Sequence, residues 1–267
     1  FIPCMGGNRC LKNMLDGQTD LATVAEFPVV LTSFSRSDYA VLSTFVTASN
    51  NVKVIVRSSR KVVEPSQLRN LKVGYIKGGT SHYMLDLLLV YSGVDPKTVD
   101  MKPLTADNAL VALRNGEVDA VSIWEPYASR ILLEMKNEVS PLSTPKLYTE
   151  TFNLVALQSA IRTRPQDLQN VIAALKDSNE YIRANPDKAE AVIADRFDLP
   201  SATIRRIMSD YRFNLSLNRA LLRTMEGQAR WAIREGHASG NTEQPNLGGY
   251  LYPVLLRRVD AAAVSLP

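Results

Sequence analysis

Two stretches of this chain repeat one another at a constant offset of 99 residues. MLDGQTDLATVAEF (Met14–Phe27) aligns with LRNGEVDAVSIWEP (Leu113–Pro126), setting Gly17 on Gly116, Asp20 on Asp119 and Glu26 on Glu125, with Pro28 and Pro126 close behind. Each copy reads as a helix ended by glycine, a tight turn carrying aspartate, a short strand, then an acid and a proline that can open the next helix. A period this long is not that of a solenoid. Two copies of one supersecondary unit imply two similar α/β lobes, and the carboxyl ends of strands in such sheets face the ligand crevice. Glu26 and Glu125 are therefore expected to point toward a cleft between the lobes.

The remaining pattern agrees with alternating strands and helices. Val41–Phe45, Val52–Val56, Val73–Ile76, Ala120–Ile123 and Leu154–Leu157 are apolar runs too short for helices. Between them lie amphipathic segments at Cys10–Leu15, Tyr83–Tyr91 and Ala109–Leu113, followed closely by Gly17, Gly93 and Gly116. Alternation of this kind predicts an α/β fold with mainly parallel sheets flanked by helices. After about Gln158 the segments Pro165–Asn185, Pro186–Phe197, Pro200–Asp210 and Leu217–Glu235 read as successive helices, so the C-terminal third is expected to be mostly helical.

Composition then narrows the function classes. With 267 residues, 45% hydrophobic and 22% charged, the chain has the makeup of a folded globular protein, and its longest apolar runs fall far short of a membrane span. Lys and Arg exceed Asp and Glu by only 31 to 27, and the basic residues lie singly or in pairs, which argues against a nucleic-acid partner. The two histidines, His82 and His237, supply a metal site poorly. No nucleophile, base and orienter form a recognisable set, so no catalytic residues, metal or cofactor are expected. Cys4 and Cys10 are either a local disulfide of an oxidising compartment or two half-buried thiols. No charged region, apolar run and cleavage site of a secretory leader opens the given sequence, so any such leader is expected to have been removed or never to have existed, and "FIPCMGGNRC" reads as starting inside a strand.

The stretch LRNLKVGYIKGGTSHYMLDLLLVYSGVDPKTVDMKPLTADNALVALRNGEVDAVSIWEPY (Leu68–Tyr127) resembles the periplasmic substrate-binding proteins of ABC importers, in the branch serving nitrate, sulfonates, taurine and thiamine precursors. GGNRCLKNMLDGQTDLATVAEFPVV is similar to the corresponding first-lobe element, and FNLSLNRALLRTMEGQARWAIREG and YLYPVLLRRVDAAAVSL to the tail. The resemblance implies a two-lobed type II periplasmic-binding-protein fold. Residues 1–58 and 153–267 would form lobe 1 and residues 59–152 lobe 2, with crossings near Arg57–Arg60 and Thr151–Asn153. Family members begin with one more strand and helix, which here would precede Phe1. The implied function is that of a monomeric, periplasmic or extracytoplasmic solute-binding component, closing on a small anionic or zwitterionic molecule and docking on the importer's membrane subunits. The same module serves as a ligand sensor in membrane receptors, and some enzymes share the fold; the cysteine-rich motif of the iron-dependent thiamine-pyrimidine synthase is absent here.

Within that pattern the expected ligand-binding residues are as follows. Gly6, Gly7 and Asn8, and Gly79, Thr80, Ser81 and His82 behind Gly78, open helices whose unpaired N–H groups and dipole favour an anion. Neither stretch carries the lysine of a Walker loop. Trp124 either walls a pocket or packs in the core. Glu125 either meets a substrate ammonium, as taurine would offer, or favours the helix that follows it. Glu26, Thr47, Ser49 and Asn153 supply further polar groups at strand ends.

Overall fold

A computed structural model describes residues 2–4, 6–240 and 242–266. In chain order it forms α1 (Gly7–Leu15), β1 (Leu21–Ala25), α2 (Glu26–Ser33), β2 (Tyr39–Ala48) and β3 (Val52–Arg57). There follow β4 (Lys72–Tyr75), α3 (Thr80–Tyr91), β5 (Asp100–Pro103), α4 (Ala109–Asn115), β6 (Ala120–Trp124), α5 (Tyr127–Met135) and β7 (Val139–Pro141). Next come β8 (Glu150–Leu157), α6 (Gln158–Thr163), α7 (Pro165–Ala184), α8 (Pro186–Phe197) and α9 (Ser201–Ser209). The chain closes with β9 (Tyr211–Asn218), α10 (Arg219–Arg234), α11 (Val254–Val259) and β10 (Val264–Ser265).

Internal contacts divide the chain into two units. Phe1–Ala48, Glu150–Ala189 and Tyr211–Pro267 make the first; Ser49–Thr149 and Glu190–Asp210 make the second. The stretch Glu190–Asp210 groups with the second unit, and the chain changes unit four times.

The first unit holds the sheet β1-β8-β2-β9-β10. β8 runs antiparallel to both β1 and β2, which are thereby parallel to each other across it. β9 is antiparallel to β2, and only the short β10–β9 pair is parallel. The second sheet, β5-β4-β6-β3-β7, is parallel from β5 through β6 and antiparallel at β3 and β7. The expectation of mainly parallel sheets is thus corrected: both are mixed. Strand–helix alternation predicts parallel neighbours only while successive strands lie side by side, and here late strands insert between or beside early ones. The strand expected at the chain start is absent at Ile2–Cys4; Phe1 and Met5 lie outside the described residues. A strand also interrupts the helical third: YRFNLSLN, Tyr211–Asn218, alternates polar and apolar residues with the two-residue period of a strand.

The second unit carries helices on both sheet faces, as residue alternation in β3 requires. Val54 and Val56 pack with Leu85, Leu88 and Leu89 of α3, whereas the intervening Ile55 packs with Leu113 of α4 and Ile131 of α5. In the first unit Tyr39 is fully buried and donates its hydroxyl to the Val29 carbonyl at 2.7 Å, and Phe27 of α2 meets Trp231 of α10 edge to face, with ring centroids 5.4 Å apart. Cys4 and Cys10 are joined as a disulfide, which settles the alternative left open above.

The sequence repeat is a structural repeat. β1 and β6 occupy 21–25 and 120–124, the same offset of 99, and the helices before them end at Gly17 and Gly116 in left-handed conformation, φ 77° and 75°. The repeated aspartates anchor their turns: Asp20 pairs with Arg164, and Asp119 takes Arg60 Nε at 2.7 Å and the Lys72 N–H at 2.9 Å. Gly116 also abuts the Arg57 guanidinium, so that a Cβ would collide with it. Gly116→Ala is expected to lower stability by about 1–2 kcal/mol, the cost of a left-handed L-residue, measured as a fall in the urea midpoint of the second unit.

Candidate functional site

Each unit has a glycine pair at a helix start, Gly6 capping α1 with Gly7 its first residue, and Gly79 capping α3 behind Gly78. Gly6 has φ 80° and Gly78 has φ 71°, conformations that L side chains rarely adopt. The second glycine of each pair lies against the end of one of the two repeated strands. A Cβ on Gly7 would sit 2.8 Å from Val24 of β1, and one on Gly79 would sit 3.3 Å from the Trp124 ring of β6. Both helix starts are thus seated on strand ends because no side chain intervenes. At the start of α3 the amides of Thr80 and Ser81 have no acceptor among the described residues, as the first turn of a helix dictates. Thr80 is 5% exposed and Ser81 fully buried. The Ser81 hydroxyl accepts from the Ile76 N–H at 3.2 Å, while its carbonyl accepts from the Ser122 hydroxyl at 2.9 Å. His82 follows with its ring over Tyr75, centroids 4.4 Å apart. Asn8, at the start of α1, is exposed.

The two repeated glutamates do different work. Glu26, fully buried at the first position of α2, accepts from the Thr151 N–H and hydroxyl, both at 2.8 Å, and from the Gln228 amide at 2.8 Å. It joins α2 to β8 and α10. Asn153, also fully buried, donates to the Val24 carbonyl at 3.3 Å and the Thr151 hydroxyl at 2.9 Å, and accepts from Thr44 at 2.6 Å. Glu125, 9% exposed, accepts from the Ser129 N–H at 2.9 Å in the first turn of α5. Its peptide bond to Pro126 is cis. Trp124 is half-buried, between Gly79 and an edge-on Tyr127 at 6.4 Å. Thr47 lies in the first unit, in register with Thr151 and Arg212, and Ser49 in the second, its N–H 3.4 Å from the Asp210 carbonyl.

Sequence reasoning missed a charged cluster beside Glu125. Lys53 of β3 lies 3.8 Å from Asp210 and donates to the Asn50 carbonyl, and Asn50 in turn donates to Asp210 at 2.9 Å. Burial holds the Lys53 ammonium below its usual pKa, and the charges of Glu125 and Asp210 oppose that shift. Arg206 reaches the Ser129 hydroxyl at 3.1 Å. A lone lysine inside VKVIVR was the available signal, but its partner Asp210 lies far along the chain. Among the described residues no group of three or more His, Cys, Asp or Glu could hold a metal ion, and no helix is long and apolar enough to cross a membrane.

With this geometry in place, comparison with known proteins identifies the chain. The NMT1/THI5-like family model matches residues 5–189. The chain belongs to that family. It is 26% identical over 206 residues to the "Putative aliphatic sulfonates-binding protein" of Escherichia coli K12, covering 76% of this chain and 64% of that protein. It therefore spans a little under two thirds of that relative's length. Its fold matches the alkanesulfonate-binding protein SsuA of Xanthomonas axonopodis pv. citri bound to MOPS, with TM-score 0.81 and 17% identity over 93% of this chain and 85% of that one. The desulfurization enzyme DSZB shares the fold too, with TM-score 0.71 and 14% identity over 90% of this chain and 85% of the enzyme. The fold alone therefore does not separate binding from catalysis.

Glu26→Ala would leave the Thr151 N–H and the Gln228 amide without their acceptor in the interior. It is expected to destabilise the protein by about 3 kcal/mol, at one to three for each stranded buried group, read from urea unfolding.

Proposed function

We propose that this chain binds a small organic sulfonate as the extracytoplasmic solute-binding component of an ABC importer. The observation that carries the reading is the pair of glycine-opened helix starts, one in each unit, with Trp124 beside the N-terminus of α3. Unpaired amides at a helix start hold sulfonate oxygens without an arginine, and the indole ring offers apolar surface to the organic group. The family membership and the sulfonate-binding names of its relatives support the same chemistry. In this reading, ligand binding selects a state that the importer's membrane subunits recognise.

The surroundings of Glu125 favour a plain alkanesulfonate over the zwitterion taurine. Its carboxylate already accepts from Ser129, and its charge already acts on Lys53. One carboxylate oxygen and part of its charge are thus already engaged within the protein. Glu26 and Asn153, fully buried and hydrogen-bonded inside the first unit, act by holding strand ends in place.

Isothermal calorimetry with ethanesulfonate, taurine, nitrate and a pyrimidine tests the proposal. Ethanesulfonate should bind more tightly than the other three, and Trp124→Ala and Thr80→Ala should each weaken it at least tenfold. Nitrate or the pyrimidine binding best would reject the ligand class, and unchanged affinity in both variants would reject the pocket placement.

A further inference from the structure

We propose that the outer face of α10 docks on an anionic phospholipid surface. Arg219, Arg223, Arg230 and Arg234 follow at spacings of four, seven and four residues, and all are exposed. At 3.6 residues per turn they fall within about 60° of one another, on a line about 22 Å long. The helix side turned away from them carries the buried Leu221, Met225 and Ala232. Gly227 lies on the arginine side between Arg223 and Arg230, and even an added Cβ there would meet only Arg230, at 3.8 Å. Glu226 shares this side, about 20° from Arg219 around the axis, so the line carries four guanidinium groups and a single half-buried carboxylate.

Their charge exceeds that of Glu226, which forms no ion pair with them among the described residues. Arg234 pairs with Glu235 at 2.7 Å, but Arg219, Arg223 and Arg230 have no carboxylate partner among the described residues. Two of the spacings place like charges one turn apart, which disfavours a helix taken alone. Such an arrangement fits an external anion. Guanidinium forks match phosphate oxygens bidentately. A protein partner would call for an apolar centre to the interface, and no large hydrophobic side chain of α10 is exposed. A headgroup layer needs only a row of cations at the phosphate level, and it attracts each with a free energy equivalent to about fivefold in partitioning.

Cosedimentation with vesicles of phosphatidylcholine, with and without phosphatidylglycerol, tests the assignment. The wild-type protein should bind only the anionic vesicles and lose them as salt rises. The variant R219Q/R223Q/R230Q should partition about a hundredfold more weakly, at fivefold per arginine. K97Q/K136Q/K188Q, which removes the same charge from other exposed positions, should bind as wild type. Phenylglyoxal footprinting of the wild-type protein gives an answer independent of how the variants fold: vesicles should protect Arg219, Arg223 and Arg230 and leave the exposed Arg69 reactive. No binding to anionic vesicles, equal losses in the two variants, or equal protection of Arg69 would overturn the proposal. So would binding of soluble polyglutamate without vesicle binding, which would assign the face to an acidic protein.

Discussion

Glu26 ties α2 to β8 and α10, elements far apart in the chain. A carboxyl group removed from water has to find donors inside the protein, and Glu26 finds three, from the Thr151 backbone and side chain and from Gln228. Those donors belong to β8 and α10, which the chain reaches more than a hundred residues later. The strand that separates β1 from β2 is thus pinned at its start by a residue that immediately follows β1. Asn153, two residues further along β8, completes the pin by bonding Val24 on one side and Thr44 on the other. Polar groups buried in this way set the register of neighbouring strands, since a slip would strand several donors at once.

The second unit solves the same local problem with different means. Its repeated acid, Glu125, turns back on the first turn of α5, and the neighbouring positive charge comes from Lys53. What both units retain is a left-handed glycine followed by a glycine pressed against a strand end. The acids are occupied in holding the scaffold, and the start of α3 is left with the amides of Thr80 and Ser81 to offer. The proposed sulfonate chemistry follows from this division, because an anion held by amides needs no counter-charge from the protein.

Much of this was legible in the sequence because it is local. The 99-residue repeat marked a strand at β1 and another at β6, the latter read as Ala120–Ile123 and found at Ala120–Trp124, and the glycine pairs marked α1 and α3. Parallel pairing was over-read, since no local signal tells that β8 will enter between β1 and β2. YRFNLSLN had the alternation of a strand, yet lay between helical segments. The roles of Glu26 and Asn153 depend on partners remote in sequence, Gln228 and Thr44. The Lys53–Asp210 cluster escaped for the same reason.

The most direct measurement is a two-dimensional amide NMR titration of the isotope-labelled protein with ethanesulfonate. If the acids hold the scaffold and the helix starts hold the ligand, the amides of Gly7, Thr80 and Ser81 will shift. Those of Thr151 and Ser129, already bonded to Glu26 and Glu125, will stay in place. Shifts at Thr151 and Ser129 with silence at the two helix starts would contradict the account.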